Sequence, residues 1–177
     1  MRTRVEPSAV LTDDKLQLRR FGTADIEQLP ALCNDAGLAA NLRDTFPHPY
    51  GLPEAEFFVG QIATQNEVFA VCMADQLVGC VGGIFRQDVH RDCIEVGYWV
   101  GRAFWGQAVA TRALRLLCAH LIATQSALLR LEADVFGGNE GSARVLENNG
   151  FVREGTRLRR VRKGAEVRDE WLYARVL

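Results

Sequence analysis

The alternation of apolar and polar positions predicts strands and helices in mixed order along the chain. Residues 16–21 alternate between apolar and polar side chains, as a half-buried strand does. Further strand patterns lie at 68–73, 77–85, 93–100, 128–135, 156–162 and 166–177. Helical patterns follow a predicted N-cap at Thr23 and recur at 35–42, 53–63, 109–121 and 139–149.

This order predicts an α/β fold in a single domain at residues 15–177, after a flexible leader at residues 1–14. A strand–helix–strand unit within an otherwise antiparallel chain implies a mixed, mostly antiparallel sheet of about seven strands, with a central parallel β-α-β unit and helices on both faces. The helix at 53–63 is expected to turn Phe57, Phe58 and Ile62 inward.

The segment from Glu95 to Thr111 carries the most specific chemical signal. An apolar, aromatic strand runs into a turn of small residues, and the turn opens an amphipathic helix. Small side chains leave main-chain N–H groups uncovered, and amides at the positive end of a helix dipole bind phosphate. The sequence therefore predicts a phosphate-bearing ligand held by backbone. The spacing at 105–108 does not match the Gly-x-Gly-x-x-Gly loop of a dinucleotide-binding domain.

Composition narrows the choice of partners. The formal net charge of -1 disfavours nucleic acid and anionic membranes as global partners, and no apolar run reaches the roughly 20 residues that cross a bilayer. The cysteine count is odd and no two are separated by just two residues, which favours buried, reduced thiols in a cytoplasmic protein over disulfides or a zinc site. The cysteines are Cys33, Cys72, Cys80, Cys93 and Cys118.

Four short motifs, in this order and spacing, resemble the GNAT superfamily of acyl-CoA-dependent N-acyltransferases, and within it the ribosomal-protein alanine N-acetyltransferase branch. They are Glu-x-Gly-Tyr-Trp at 95–99, a Trp-Gly turn at 105–110, Asn-x-x-Ser at 139–142 and Gly-Phe at 150–151. The resemblance covers residues 15–177. It implies an enzyme that moves an acetyl group from acetyl-CoA to a primary amine, on a protein N-terminus or a small molecule, by direct attack in a ternary complex.

The resemblance also implies which residues hold acetyl-CoA. The pantetheine arm would pair with backbone at Trp99 and Val100, with Asn139 capping its helix and contacting the same arm. Arg102 would meet a phosphate, or is a solvated loop charge. The diphosphate would lie on the amides of Gly106, Gln107, Ala108, Val109, Ala110 and Thr111. The superfamily usually has glycine at the position of Ala108, and a methyl group is tolerated there if φ stays negative.

Two residues are candidates for proton transfer. Glu95 is the candidate base, because burial in its apolar strand would raise the pKa of a carboxyl group; the alternative is a structural carboxylate paired with Arg19 or Arg86. Ser142 is the candidate proton donor to the coenzyme A sulfur, since Leu146 stands where many superfamily members have a tyrosine. The alternative for Ser142 is a capping or solvent contact.

The remaining expectations concern the acceptor. His48 and Tyr50 lie in a loop punctuated by prolines and are candidate substrate contacts, although an exposed loop histidine is the alternative. No metal-ligand spacing occurs, so no metal is expected. The basic run at 157–163 predicts an exposed edge strand, with an acidic acceptor or ribosomal RNA as alternative partners. A non-catalytic acyl-CoA-binding sensor or partner protein is the alternative function, and a homodimer is left open.

Overall fold

Eight strands form a single sheet in the computed structural model, which describes residues 11–177. They are β1 (Leu11–Asp13), β2 (Leu16–Arg19), β3 (Glu67–Met73), β4 (Gln76–Phe85), β5 (Cys93–Val100), β6 (Arg130–Phe136), β7 (Val152–Lys163) and β8 (Glu166–Val176). Their order across the sheet is β1-β2-β3-β4-β5-β6-β8-β7. Only β5 and β6 run parallel, so the predicted α/β class and mixed sheet are confirmed.

Helices cover both faces of this sheet. They are α1 (Leu29–Cys33), α2 (Ala36–Ala39), α3 (Leu52–Phe57), α4 (Ala63–Gln65), α5 (Val109–Thr124) and α6 (Glu140–Glu147). Residues of α1–α3 share one buried cluster with Trp99 of β5. Residues of α5 and α6 share the other with the opposite faces of the strands. None of the helices within residues 11–177 is long and apolar enough to cross a membrane.

The amphipathic pattern of α5 is confirmed in detail. Val109, Ala113, Leu117 and Leu121 repeat every four residues, and each is at most 2% exposed. At the start of α5, the side-chain amide of Asn149 donates to the Thr111 carbonyl at 3.2 Å. The same amide donates to a carbonyl of α6, so the first turn of α5 is fastened to its neighbouring helix.

The start of the described chain corrects two expectations. Leu11–Asp13 pair with β2 as an additional edge strand, so the part of the expected leader after residue 10 belongs to the sheet, and residues 1–10 lie outside the described residues. Thr23 does not cap a helix. Gly22 occupies that position, and its N–H donates to the buried Asp25 carboxylate at 2.8 Å.

The helical segment at 52–65 presents a different face from the expected one. Ala55, Val59 and Ala63 are buried, whereas Phe57 is 60% and Ile62 is 41% exposed. A π-helical turn between α3 and α4 changes the rotation per residue, and three small or medium side chains let the segment lie close to the sheet. The expected inward positions of Phe57 and Ile62 are therefore wrong, while Phe58 does pack against the core.

The strands β5 and β6 pair over only three residues, from Cys93 to Glu95 on β5. Beyond that point β5 continues to pair with β4 as far as Val100, and β6 continues to pair with β8 as far as Phe136. Since each strand keeps its other neighbour, the two halves of the sheet separate. The gap between them is the feature that creates the candidate site.

Candidate active site

A cleft of about 1480 Å³ opens where β5 and β6 separate. Its walls are the C-terminal half of β5, the end of β6, the first turns of α5 and α6, and the loop between α2 and α3. It therefore reaches both faces of the sheet. Most of the predicted site residues line it, namely Tyr50, Glu95, Trp99, Val100, Gly106, Ala108, Val109, Ala110, Thr111, Asn139 and Ser142.

The turn before α5 has main-chain N–H groups without internal partners. Within residues 11–177, no acceptor lies within hydrogen-bonding distance of the amides of residues 106–111. The helical pattern starts one residue later, where the Arg112 N–H donates to the Ala108 carbonyl at 3.0 Å. Unpaired amides at the positive end of a 16-residue helix form an anion site.

Ala108 does not keep the negative φ on which its tolerance depended. Its backbone is left-handed, with φ of 56° and ψ of 16°, and Gly106 two residues earlier has φ of 76°. A left-handed conformation costs an L-residue with a side chain about 1–2 kcal/mol. The turn therefore holds its amides in place at the expense of local strain.

Three predicted residues lie away from the cleft wall. The Arg102 guanidinium stacks over the Trp105 ring at 5.1 Å and lies 3.8 Å from Asp35. The Gln107 side chain donates to the Ala103 carbonyl at 3.1 Å. His48 is exposed and is not among the residues that line the cleft.

Part of the backbone that was predicted to pair with the pantetheine arm, at the end of β5, already has a partner within the protein. The Trp105 indole N–H donates to the Val100 carbonyl at 2.7 Å. Trp99 is 8% exposed and meets the Phe46 ring at a centroid distance of 6.1 Å. Tyr50, which also packs on Phe46, is buried, and burial raises the pKa of its phenol.

Ser142 has a partner that sequence reasoning missed. Its hydroxyl lies 2.8 Å from the Tyr98 hydroxyl, which also donates to the Ser142 carbonyl at 3.0 Å. Burial raises the pKa of Tyr98, although its bond with Ser142 works in the opposite direction. Asn139 caps α6 as expected, because its side-chain oxygen accepts from the Ser142 N–H at 3.1 Å. The signal that could have identified Tyr98 as a site residue is its place in the Glu-x-Gly-Tyr-Trp motif.

The Glu95 carboxylate is buried and forms salt bridges with two arginines. One carboxylate oxygen accepts from Arg43, and the other lies 3.1 Å from Arg86. Arg86 also donates to Glu132 at 2.8 Å. Pairing with Arg86 is thus observed, whereas Arg19 instead binds Asp25.

A second carboxyl group on the cleft wall is less engaged. Asp134 of β6 lies 3.7 Å from Arg157. Burial raises its pKa, and the negative charges of Glu170 and Glu95 add to that effect. Sequence reasoning missed Asp134, because it is one of several polar residues that alternate with buried ones along β6, and nothing in that alternation distinguishes it from the others. Among residues 11–177, no group of three or more His, Cys, Asp or Glu residues could hold a metal ion.

A mixed sheet split at its single parallel pair, with free amides at the start of the following helix, defines the acyl-CoA-dependent N-acyltransferase class of fold. Residues 15–152 match the family model described as acetyltransferase (GNAT) domain, and the chain belongs to this family.

Individual relatives agree with this assignment. The probable N-acetyltransferase YjcK of Bacillus subtilis (strain 168) is 33% identical over 106 residues, which cover 58% of this chain and 54% of that protein. The ribosomal-protein-serine acetyltransferase of Escherichia coli (strain K12) is 28% identical over 111 residues, which cover 63% of this chain and 61% of that protein. The chain thus spans only about half to three fifths of the length of these two relatives.

A solved structure shares the whole fold. RimL, a ribosomal L7/L12 alpha-N-protein acetyltransferase in complex with coenzyme A, matches with a TM-score of 0.85 and 21% identity. The match covers 96% of this chain and 98% of that chain.

Replacing Ala108 with glycine is expected to stabilise the protein by about 0.5–1 kcal/mol. Glycine removes a left-handed penalty of about 1–2 kcal/mol and costs about 0.5–1 kcal/mol of chain entropy. Thermal unfolding should show a Tm that rises by about 1–4 °C. Ala110→Gly, within the first turn of the same helix, is the matched control and should lower the Tm. A lower Tm for Ala108→Gly would contradict the strained turn.

Proposed function

We propose that this protein is an N-acetyltransferase that moves the acetyl group of acetyl-CoA to a primary amine in a ternary complex. The observation that carries the proposal is the row of unpaired amides at residues 106–111, which lies on the same cleft as a half-buried hydroxyl pair and a carboxyl group. Membership of the GNAT family and the coenzyme A bound by a protein of the same fold support it.

The diphosphate of acetyl-CoA is assigned to the amides of residues 106–111. Phosphate oxygens accept hydrogen bonds, and these donors have no competing acceptor in the described chain. The pantetheine arm is assigned to the edge of β5 from Val96 to Val100, which has no partner strand on the cleft side. Arg102 is left out of this assignment and Gln107 contributes only its main-chain amide, because neither residue is among those that line the cleft.

Ser142 is assigned the role of proton donor to the departing thiolate, with Tyr98 as the residue that positions it. The single Tyr98 proton can go to the Ser142 carbonyl oxygen or to the Ser142 hydroxyl oxygen. When it goes to the hydroxyl oxygen, the Ser142 proton is free to point into the cleft. Hydrogen bonds in such a chain strengthen one another, so the Ser142 hydroxyl becomes a better donor. The raised pKa of Tyr98 keeps its own proton in place.

Asp134 is assigned the role of base in preference to Glu95. A base must have a free oxygen to take the proton of the attacking amine. Both oxygens of Glu95 are engaged by guanidinium groups, whereas the arginine that pairs with Asp134, Arg157, is at 3.7 Å. The raised pKa of Asp134 also makes it a stronger proton acceptor than an ordinary aspartate.

A protein N-terminus is the proposed acceptor. The cleft is wide, at about 1480 Å³, which suits a peptide chain better than a small amine. Charged groups of both signs line it, including Glu95 and its partner Arg43. The relatives named for ribosomal-protein acetylation support the same choice.

The purified protein is expected to release coenzyme A thiol from acetyl-CoA when it is supplied with peptides that carry a free N-terminal amine. Matched peptides with a blocked N-terminus are the control and should give only the background rate. Binding of coenzyme A without thiol release on any free amine would indicate the sensor instead, and the absence of binding would overturn the proposal.

Tyr98→Phe should act on turnover only through Ser142. Ser142→Ala is expected to lower kcat about 100-fold, the usual order for a lost general acid, with the Kd for coenzyme A nearly unchanged. Tyr98→Phe should lower kcat about tenfold alone and have no further effect in the Ser142→Ala background, because coupled residues are not additive.

Tyr173→Phe is the matched control for this cycle. Tyr173 also fastens α6, through a bond from its hydroxyl to Glu147 at 3.1 Å, and its effect should be the same in both backgrounds. Full independence of the Tyr98 and Ser142 effects would refute the positioning role, and an unchanged kcat in Ser142→Ala would refute the proton donor.

Asp134→Asn should change the pH dependence of kcat. In the unmodified protein, kcat falls as pH falls through the raised pKa of Asp134, because the protonated carboxyl group cannot accept the amine proton. In Asp134→Asn, kcat should instead rise only as the acceptor loses its own proton, near pH 8 for an α-amine. Glu95→Gln is the matched control, and an altered pH limb in this variant alone would return the role of base to Glu95.

A further inference from the structure

Close packing explains three of the four glycines in β4 and β5. A Cβ atom on Gly79 would lie 2.4 Å from the Trp99 carbonyl oxygen. A Cβ atom on Gly82 or Gly83 would lie 3.0 Å from a side-chain carbon of a neighbouring strand. A larger residue at Gly79 would clash with the backbone of β5, and one at Gly82 or Gly83 would force neighbouring side chains to shift, so close packing favours glycine at all three positions.

Gly97 is the glycine that packing does not explain. A Cβ atom placed on it would meet no heavy atom within 4 Å, and its backbone is not left-handed. Glycine in the middle of a strand costs stability, because it loses more conformational freedom than other residues and packs no side chain. Nothing in the fold of residues 11–177 offsets that cost.

The open space over Gly97 lies in the cleft. Gly97 is the second residue after the last parallel pair at Glu95, and it shares one face of β5 with Glu95 and Trp99, because side chains alternate along a strand. This is the face covered by α1–α3, opposite to the face that carries α5 and the Ser142 hydroxyl. An acceptor that attacks the thioester from the side away from the coenzyme would approach across this space.

Large apolar side chains line the cleft on this face of the sheet. They are Phe46 and Trp99, and two that remain exposed, Phe57 at 60% and Ile84 at 46%. Ile84 lies directly opposite Glu95 in the β4–β5 pairing. Exposed apolar groups gathered in one groove commonly mark a ligand site.

The charges nearest to this space are already paired with each other. Glu95 is paired with Arg43 and Arg86. Asp134 lies 3.7 Å from Arg157 and is the base proposed for the reacting amine itself, so no charge is left to neutralise an ionic side chain of the acceptor. Burying an unpaired charge is costly. The subsite therefore favours an uncharged, apolar substituent.

We propose that the space over Gly97 is an acceptor subsite that receives an apolar side chain on the residue carrying the reactive amine. The inference rests on the proposed N-acetyltransferase function and specifies its substrate class. Gly97 then determines specificity, since its missing side chain provides the volume that the acceptor fills.

Graded filling of this space tests the proposal. Peptides that begin with Gly, Ala, Leu, Glu or Lys and share the rest of their sequence serve as probes, with coenzyme A bound for the Kd and with acetyl-CoA for kcat/KM. The unmodified protein should favour the Leu peptide over the Gly, Glu and Lys peptides in both Kd and kcat/KM, by about 10-fold or more, because each methylene in an apolar pocket contributes about 10–200-fold.

Gly97→Ala should reduce the preference for Leu over Gly, and Gly97→Val should abolish it. Each preference is the ratio of two peptides measured on the same variant, so a change in coenzyme affinity cancels from it. Gly60→Ala is the matched control, because Gly60 also has open space around it but does not line the cleft. Unchanged Tm values would show that the variants fold.

The remaining outcomes overturn the inference in distinguishable ways. If Gly97→Val lowered kcat/KM equally for the Gly and Leu peptides, the space would lie at the reacting atoms and would not hold the acceptor side chain. A change in preference between acetyl-CoA and propionyl-CoA, with acceptor preference intact, would assign it to the acyl group. Peptide binding that follows the predicted order without any thiol release would support the subsite and refute the proposed function instead.

Discussion

The short parallel contact between β5 and β6 is the constraint on which the rest of the structure depends. Each strand is held by its antiparallel neighbour, so the two can separate after Glu95 without either being lost from the sheet. Separation leaves main-chain donors and acceptors facing a gap, and such groups cost about 1–3 kcal/mol each when they are buried without partners. A ligand with amide groups along an extended chain is therefore well suited to the opening.

The surrounding interactions keep this gap in a defined shape. Arg86 bridges Glu95 and Glu132 on the two strands where they still pair, which ties the closed end together. At the open end, α6 is fastened at its first turn by Tyr98 and at its last by Tyr173. These contacts hold the helix that carries Ser142 against a sheet that no longer supports it continuously.

The sequence predicted the elements in which local pattern and tertiary burial agree. The bounds of β5, the buried stripe of α5 and the cap at Asn139 follow from periodicity and residue type, and all are found. The turn before α5 was also recognisable, because only small residues suit it.

The remainder depended on contacts between distant segments. Tyr98 and Ser142 are 44 residues apart, and nothing in the spacing of either says that they meet. Arg43 reaches Glu95 from a loop 52 residues earlier. Which side chains of the segment at 52–65 face the core depends on a π-helical turn, and hydrophobic periodicity does not reveal such a turn. The left-handed backbone of Ala108 is imposed by the surrounding turn and is not the conformation that alanine prefers.

Burial of the cysteines has a practical consequence for the chemistry of the molecule. Desolvation raises the pKa of Cys33 and of Cys118 to about 12, and it also raises the pKa of Cys80. At neutral pH only about one in 10⁵ of a thiol with such a pKa is ionised, and the thiolate is the form that attacks disulfides, alkylating agents and peroxides. Cys93, half-buried at the start of β5, is the cysteine whose thiol a dissolved oxidant can reach most directly.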